Sequence, residues 1–165
     1  MIGGPGRGAT RRIFKRGEEV RFIVFKRITM FLHRGDKYGH WWTEAQGKKS
    51  YGWWPKNPVD KQSTLAGVDG ELNGTTSFRG TPDRDPHHGD NADIEFHPVV
   101  DEDDLTEDEI VKKIEVFSKS YHGGWMWFLG YGKNCHSFQI QMMKYVGLRD
   151  PRSLSKRAGD TCIMQ

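Results

Sequence analysis

The segment Gly132-Lys133-Asn134-Cys135-His136-Ser137-Phe138 decides the expected fold, because a glycine-rich stretch gives way there to an amphipathic helical pattern. Asn134 is a favourable N-cap residue, which places Cys135 in the first turn of the helix. Backbone N–H groups in that turn lack helical partners and lie at the positive end of the helix dipole, so a thiolate is stabilised. Cys135 is therefore a candidate nucleophile, and a small buried core residue is the alternative.

A thiol nucleophile needs a base, and His40 is the candidate. His40 lies in an aromatic run, residues 38–44, that a short glycine-containing connection separates from a second run, residues 50–54. Two such runs predict a β-hairpin. Because side chains alternate along a strand, His40, Trp42 and Glu44 share one face. If this face is turned towards the start of the cysteine helix, the imidazole and the thiol meet; a histidine that only bonds a turn is the alternative.

The order of these segments carries a resemblance to a known family. Asn134-Cys135-His136-Ser137-Phe138 resembles the Asn-Cys-x-x-Phe setting of the circularly permuted papain-like, or permuted NlpC/P60-like, thiol enzymes, in which the histidine strand precedes the cysteine helix. The resemblance spans roughly residues 20–148. It implies an α+β fold with a small antiparallel sheet packed against helices. The superfamily includes peptidases, isopeptidases, amidases and lipid acyltransferases, so the resemblance implies a mechanism more firmly than a substrate.

The family pattern usually adds a third polar residue that orients the histidine. Ser50 lies near that place in the second run, although a hydroxyl is a weak orienting acceptor. Glu44 is the stronger acceptor and shares the face of His40, but it stands two pleats away. His97, on another predicted strand, is a further alternative, and the sequence leaves all of them open.

The tryptophans predict a binding groove between the two segments. All six lie within about fourteen positions of His40 or Cys135. For any single tryptophan, core packing is the alternative. Of the neighbours Trp41 and Trp42, alternation along the strand allows only one to contact substrate. The expected substrate-binding residues are Trp42, Trp53, Trp127 and Asn134.

These residues predict a cysteine-dependent hydrolase that cleaves an amide or peptide bond. The Cys135 thiolate would attack the carbonyl carbon, and His40 would accept and then donate a proton. The backbone N–H of Cys135 would stabilise the oxyanion, and no cofactor is expected. A lipid acyltransferase or thioesterase on the same fold is the enzymatic alternative. A non-catalytic module that binds an anionic partner through its basic ends is the alternative from another class.

Length and composition favour one compact domain in a chain of 165 residues. We expect a basic flexible leader over residues 1–18, the papain-like catalytic domain over residues 19–148 and a basic tail over residues 149–165. The formal net charge is +3, and the basic ends are separate from the aromatic segments, so no nucleic-acid partner is expected. With two cysteines, Cys135 and Cys162, the chain has no disulfide framework and suits a reducing compartment.

Apolar runs are too short to span a membrane, and the N-terminus lacks the apolar core of a signal peptide. We therefore expect a cytoplasmic protein, or a toxin or effector delivered by a specialised bacterial secretion system. The expected partners are a peptide or protein substrate and, for a toxin, a cognate inhibitor protein. The final Cys162-Ile163-Met164-Gln165 fits a prenylation signal, and the chain would reach a membrane only if Cys162 is prenylated.

The remaining pattern predicts the core elements. Strands are expected over residues 19–33 and 92–100, a long polar loop over residues 55–91, and a helix opened by the capping box of Thr106 and Glu109. Within that loop, residues 83–90 gather histidines and aspartates without a recognised metal spacing, so a solvated loop rather than a metal site is expected. The predicted buried stripe of the cysteine helix is Phe138, Met142, Tyr145 and Val146, with Gly147 ending the helix.

Overall fold

The computed structural model describes residues 12–31, 37–127 and 132–154. Within these ranges it has small antiparallel sheets and three α-helices, which confirms the predicted α+β class. The helices are α1 (Lys61–Ala66), α2 (Glu107–Ser120) and α3 (Cys135–Val146), and a 3-10 turn follows at Pro151–Leu154. The strands are β1 (Ile13–Phe14), β2 (Ile23–Phe31), β3 (Lys37–Ala45), β4 (Lys49–Tyr51), β5 (Trp53–Pro55), β6 (Val68–Leu72), β7 (Ile94–Phe96), β8 (Val99–Val100), β9 (Leu105–Thr106), β10 (Gly124–Trp125) and β11 (Leu148–Arg149).

The largest sheet has the strand order β4-β3-β2-β7 and contains the predicted hairpin. β3 pairs with β4 with Glu44 opposite Ser50, so the hairpin is confirmed. β2 pairs along the other side of β3, where Ile28 lies opposite His40. After Gly52 the chain leaves this sheet, and β5 pairs with β6 in a second sheet of order β10-β6-β5. The second aromatic run is thus divided between two sheets.

Helix α3 covers the edge of β3 that β4 leaves open. β4 pairs with β3 only as far as Thr43, so the backbone beyond it needs other partners. The side chain of Gln139 supplies one, because its Nε2 donates to the carbonyl oxygen of Trp41 at 3.4 Å. The Cys135 thiol is a second partner, because its Sγ donates to the carbonyl oxygen of Gly39 at 3.5 Å. The start of α3 is therefore held directly beside the strand that carries His40.

The caps of α3 follow the sequence prediction. Asn134 Oδ1 accepts hydrogen bonds from the backbone N–H groups of His136 (3.0 Å) and Ser137 (3.1 Å), and Gly147 ends the helix in the left-handed conformation at φ +90°. The first turn of the helix is therefore fixed by its own sequence, and it positions Cys135.

The buried stripe of α3 is rotated from the predicted one. Phe138, Met142 and Val146 are buried as expected, but Tyr145 is 52% exposed, so its predicted burial is wrong. Cys135 and Gln139 are also buried, because the start of the helix lies against the edge of β3. This orientation turns Tyr145 outwards, where its ring packs on that of Phe117 in α2 with centroids 5.6 Å apart.

Helix α2 confirms its predicted capping box. The Thr106 hydroxyl accepts from the Glu109 N–H at 3.2 Å, and the Glu109 carboxylate accepts from the Thr106 N–H at 2.8 Å. Ile110 and Ile114 are fully buried, and Phe117 packs against the ring of Phe138. The helix has a structural role beside α3.

Several predicted boundaries need correction. Residues 12–18 of the expected leader are not all flexible: Phe14 is 2% exposed, and β1 pairs with β9. At the other end, β11 pairs with β8, so the fold extends past residue 148. The expected strand over residues 92–100 is divided into β7 and β8 around Pro98, which cannot donate a ladder hydrogen bond. The expected loop over residues 55–91 contains α1 and β6. Cys162 lies outside the described residues.

Among the residues that the structure describes, none of the helices is both long and apolar enough to cross a membrane.

Candidate active site

Three side chains meet where the start of α3 lies beside β3. The thiol of Cys135 lies near the imidazole of His40 and helps to raise the pKa of that ring. On its other side, Nε2 of His40 lies 3.0 Å from Oδ2 of Asp85. Since Nε2 faces the carboxylate, Nδ1 is the ring nitrogen left for the thiol. All three residues are buried, with exposures of 4% for Cys135, 2% for His40 and 2% for Asp85.

His40 and Asp85 stabilise each other's charged form. Burial by itself lowers the pKa of His40, but the negative charge and hydrogen bond of Asp85, helped by Cys135, outweigh it and raise the pKa to about 9. Burial likewise raises the pKa of Asp85, yet the charge and hydrogen bond of His40, together with further donors, bring it below its ordinary value. His40 is therefore an imidazolium, and Asp85 a carboxylate, at neutral pH.

Asp85 is held by several donors besides His40. The indole Nε1 of Trp54 donates to Oδ2 at 2.7 Å, and the backbone N–H of His87 donates to Oδ1 at 2.8 Å. The backbone N–H of Asp85 itself donates to the hydroxyl of Ser50 at 2.7 Å. Ser50, expected as a third member that orients His40, thus contacts Asp85 instead.

Gly52 and Asn73 shape the space around this carboxylate. A Cβ atom at Gly52 would lie 2.0 Å from Asp85 Oδ2 and 3.1 Å from His40 Nε2, so only glycine fits. Asn73 is fully buried, and its Oδ1 accepts from the Gly52 N–H at 3.0 Å. Its Nδ2 donates to the carbonyl oxygens of Ser50 and Thr81, each at 3.1 Å. The backbone beside the carboxylate is therefore rigidly fixed.

The other two candidates for orienting the histidine lie elsewhere. Glu44 does share the face of His40, but Oε1 accepts from Trp42 Nε1 (3.0 Å), the Gly89 N–H (2.8 Å) and Lys26 Nζ (3.1 Å). His97 Nδ1 bonds the carbonyl oxygen of Ile23 at 2.8 Å, at the first residue of β2 and away from Ile28, which lies opposite His40. The carboxylate that reaches His40 is that of Asp85.

Aromatic rings enclose the pair of His40 and Asp85. The His40 ring lies 4.1 Å from that of Trp54 and 6.0 Å from that of Trp42, measured between centroids. The His87 ring covers this group, with its centroid 5.4 Å from both His40 and Trp42. Such an environment keeps water from the imidazole and the carboxylate, which strengthens their interaction.

The predicted substrate-binding residues are spread over different environments. Trp42 is fully buried beneath His87. Trp53 is a core residue, stacked on Phe138 and bonded through Nε1 to the carbonyl oxygen of Gly124 at 3.1 Å. Trp127 is partly buried and its backbone N–H bonds Thr64 in α1. The side chain of Asn134 caps α3. None of the described contacts gathers these four around Cys135.

Asp85 is the member of this buried cluster that sequence reasoning missed. It lies in residues 83–90, where a solvated loop was expected, and its burial corrects that expectation. The signal in the sequence was an aspartate beside histidines, but His40 is 45 positions away and no fixed spacing connects the two. Among the described residues, no group of three or more His, Cys, Asp or Glu side chains is placed to hold a metal ion.

The start of α3 also presents a backbone donor next to the thiol. Asn134 occupies the N–H groups of His136 and Ser137. The N–H of Cys135, the first residue of the helix, takes part in none of the hydrogen bonds found among the described residues. A negatively charged oxygen next to the thiol would therefore meet a free donor and the positive end of the helix dipole.

Compared with known proteins, the chain matches no family model, no curated protein and no solved structure at a significant level.

Proposed function

We propose that this protein is a cysteine-dependent hydrolase that cleaves an amide or peptide bond with Cys135 as nucleophile, His40 as general acid and base, and Asp85 as the acceptor that orients His40. The observation that carries the proposal is a buried imidazole that bonds the Asp85 carboxylate and whose pKa the nearby Cys135 thiol helps to raise. An isolated buried cysteine of the core would need no such partners. A nucleophile bonded to a base that is itself oriented by a third group is the arrangement that activates a thiol.

The proposed reaction has two halves. The Cys135 thiolate attacks the carbonyl carbon, and the backbone N–H of Cys135 stabilises the resulting oxyanion. The His40 imidazolium gives its Nδ1 proton to the leaving amine, the C–N bond breaks and a thioester remains. A water molecule then loses a proton to neutral His40 and attacks the thioester, which releases the carboxylic acid product and the thiolate. Asp85 keeps Nε2 of His40 protonated and fixes the ring during both halves.

The order of the elements supports a permuted papain-like arrangement. The histidine strand β3 comes first in the chain, and the nucleophile stands at the start of the later helix α3, which packs along the edge of that strand. Asp85 lies between them in sequence and reaches His40 from a connection after β6. This arrangement is part of the proposal, as is the choice of a peptide or protein substrate.

A thiol-labelling experiment tests the chemistry. Wild-type protein is treated with iodoacetamide at pH 7, and alkylation of Cys135 and Cys162 is followed separately by peptide mass spectrometry. Cys162 serves as the internal reference thiol. We expect Cys135 to react faster than Cys162 despite its burial, and to lose this advantage in His40→Ala. Equal rates for the two cysteines, or equal Cys135 rates in wild type and His40→Ala, would refute the proposed activation.

Substrate class is tested by the group released. Release of new primary amines from a mixed peptide pool, absent in Cys135→Ala, supports amide cleavage. Cleavage of a long-chain acyl thioester without any release of amines would replace the proposed substrate by a lipid acyl group.

A further inference from the structure

A nearly buried ion pair, Lys26 and Glu44, lies on the same face of the largest sheet as His40 but has no described contact with it. Lys26 Nζ is 3.1 Å from Glu44 Oε1, and the two side chains are only 13% and 9% exposed. Exposed ion pairs contribute little to stability, but a buried pair has lost most of its hydration and needs further hydrogen bonds to compensate. The hydrogen-bond partners of Lys26 and Glu44 therefore show which part of the chain the pair positions.

Both charges bond the backbone of the same short turn. The Glu44 carboxylate accepts from the N–H of Gly89 at 2.8 Å, and Lys26 Nζ donates to the carbonyl oxygen of Asp90 at 3.0 Å. Burial raises the pKa of Glu44, but its bonds from Trp42, Gly89 and Lys26 bring it below the ordinary value, so it is ionised at neutral pH. These are charge-assisted hydrogen bonds, which are roughly twice as strong as neutral ones.

The turn at Gly89 and Asp90 is one end of a segment that begins at Asp85, and we call residues 85–90 the Asp85 loop. At the other end, Asp85 is bonded to Ser50 and Trp54. Between the ends, the ring of His87 lies over Trp42 and His40. The loop is therefore attached to the sheet at both ends and covers the imidazole in between.

We propose that Lys26 and Glu44 are a positioning pair, which fixes the end of the Asp85 loop on the sheet so that Asp85 stays on His40 and His87 stays over both. The inference rests on the proposed function, in which His40 is the general acid and base. The contacts of Lys26 and Glu44 with the Asp85 loop do not depend on the substrate. Neither side chain touches the reacting atoms. Their effect on His40 passes through the loop.

Two variants that remove charges of opposite sign separate positioning from direct electrostatics. Glu44→Gln removes a negative charge and Lys26→Met removes a positive one. If the pair acted on His40 only through its charge, the pKa of His40 would fall in Glu44→Gln and rise in Lys26→Met. If the pair holds the loop, the pKa falls in both, because Asp85 is released from the imidazole in both.

The measurement is the titration of His40 by NMR, together with the rate of Cys135 alkylation at pH 7. We expect the His40 pKa to fall in both variants and the alkylation to slow by about tenfold, a change that corresponds to about 1.4 kcal/mol. Glu115→Gln is the matched control, because it breaks surface ion pairs of Glu115 with Lys119 on α2 and with Lys49 on β4. It should leave both quantities unchanged.

If either single variant does not fold, the double variant Lys26→Met/Glu44→Gln takes its place. It leaves no unpaired buried charge and the same net charge as wild type, so any fall in the His40 pKa reports the loop alone. Shifts of opposite sign in the single variants, or an unchanged His40 titration in variants that fold, would overturn the inference. Absence of amine release by wild-type protein would instead contradict the proposed function, and the two failures are thus distinguishable.

Discussion

Trp54 donates its indole N–H to Oδ2 of Asp85 over 2.7 Å, on the same carboxylate oxygen that bonds His40. Trp54 is 8% exposed, and its ring also lies against the imidazole. One side chain therefore both satisfies the buried carboxylate and covers the histidine that the carboxylate orients. Trp54, which is not among the four expected substrate-binding residues, therefore supports the pair of His40 and Asp85.

Trp54→Phe keeps most of the ring packing and removes the donor. We expect it to lower the free energy of unfolding by about 1.5–3 kcal/mol, because a buried carboxylate loses a hydrogen bond. Urea unfolding measures this, and Cys135 alkylation should slow as well. Trp53→Phe is the control, since the indole N–H of Trp53 donates to the neutral carbonyl of Gly124 and not to a carboxylate. An alkylation rate that changes as much in Trp53→Phe as in Trp54→Phe would show that ring volume matters and the bond to Asp85 does not.

Asp85→Asn should change the pH dependence of the reaction. The His40 pKa of about 9 depends on the charge of Asp85, and without it the lowering effect of burial dominates. The imidazolium, which donates a proton to the leaving group in the proposed mechanism, is then lost at a lower pH. We expect the alkaline limb of kcat/KM to move from about pH 9 to below pH 7.

The matched control for Asp85→Asn is Asp83→Asn. Asp83 stands two positions away in sequence, but its side chain is 56% exposed and forms a surface ion pair with Lys49 at 3.6 Å. Its replacement should leave the profile where it is in wild type. If the alkaline limb of Asp85→Asn coincides with that of wild type, Asp85 does not control His40.

The elements that sequence predicted are those with local signals. The side chains of Asn134 and Thr106 cap backbone N–H groups within four residues of themselves, so the start of each helix can be predicted from the local sequence alone. The hairpin of β3 and β4 follows from alternation and a short turn. These local rules were enough to place His40 on a strand and Cys135 at the start of a helix.

The parts that sequence missed depend on contacts between distant segments. Gly52 ends one sheet and starts another, so alternation could not show that Trp53 enters the core while Trp54 bonds Asp85. Asp85 is polar and follows a turn-rich stretch, and its burial is tolerable because His40, Trp54 and His87 all donate to its carboxylate. When the partners of a carboxylate come from distant segments, the sequence around it does not predict its burial.

Gly52→Ala should inactivate the site by steric displacement. The added Cβ would lie 2.0 Å from Asp85 Oδ2, and the backbone of Gly52 is held by Asn73, so the carboxylate must move. We expect His40-dependent alkylation of Cys135 to be lost in a protein that still folds. Gly47→Ala, at the turn between β3 and β4, is the control, because nothing lies within 4 Å of its added Cβ, although its φ of +64° makes alanine strained. It should lose some stability and keep the alkylation rate; unchanged alkylation in Gly52→Ala would mean that the carboxylate position is not critical.

Stability itself should depend on pH through the buried pair. The pKa of His40 is raised from 6.5 to about 9, so its contribution is fully present below pH 6.5 and is lost as the pH rises through 9. The pKa of Asp85 is lowered, so its contribution is present above its unfolded value of 3.8 and is lost as the pH falls. Between pH 6.5 and 9 the free energy of unfolding should fall by about 3 kcal/mol. The double variant His40→Gln/Asp85→Asn removes both titrating groups and should show no such fall in urea unfolding over this range. A wild-type curve as flat as that of the double variant would show that His40 and Asp85 do not form an ion pair in the folded protein.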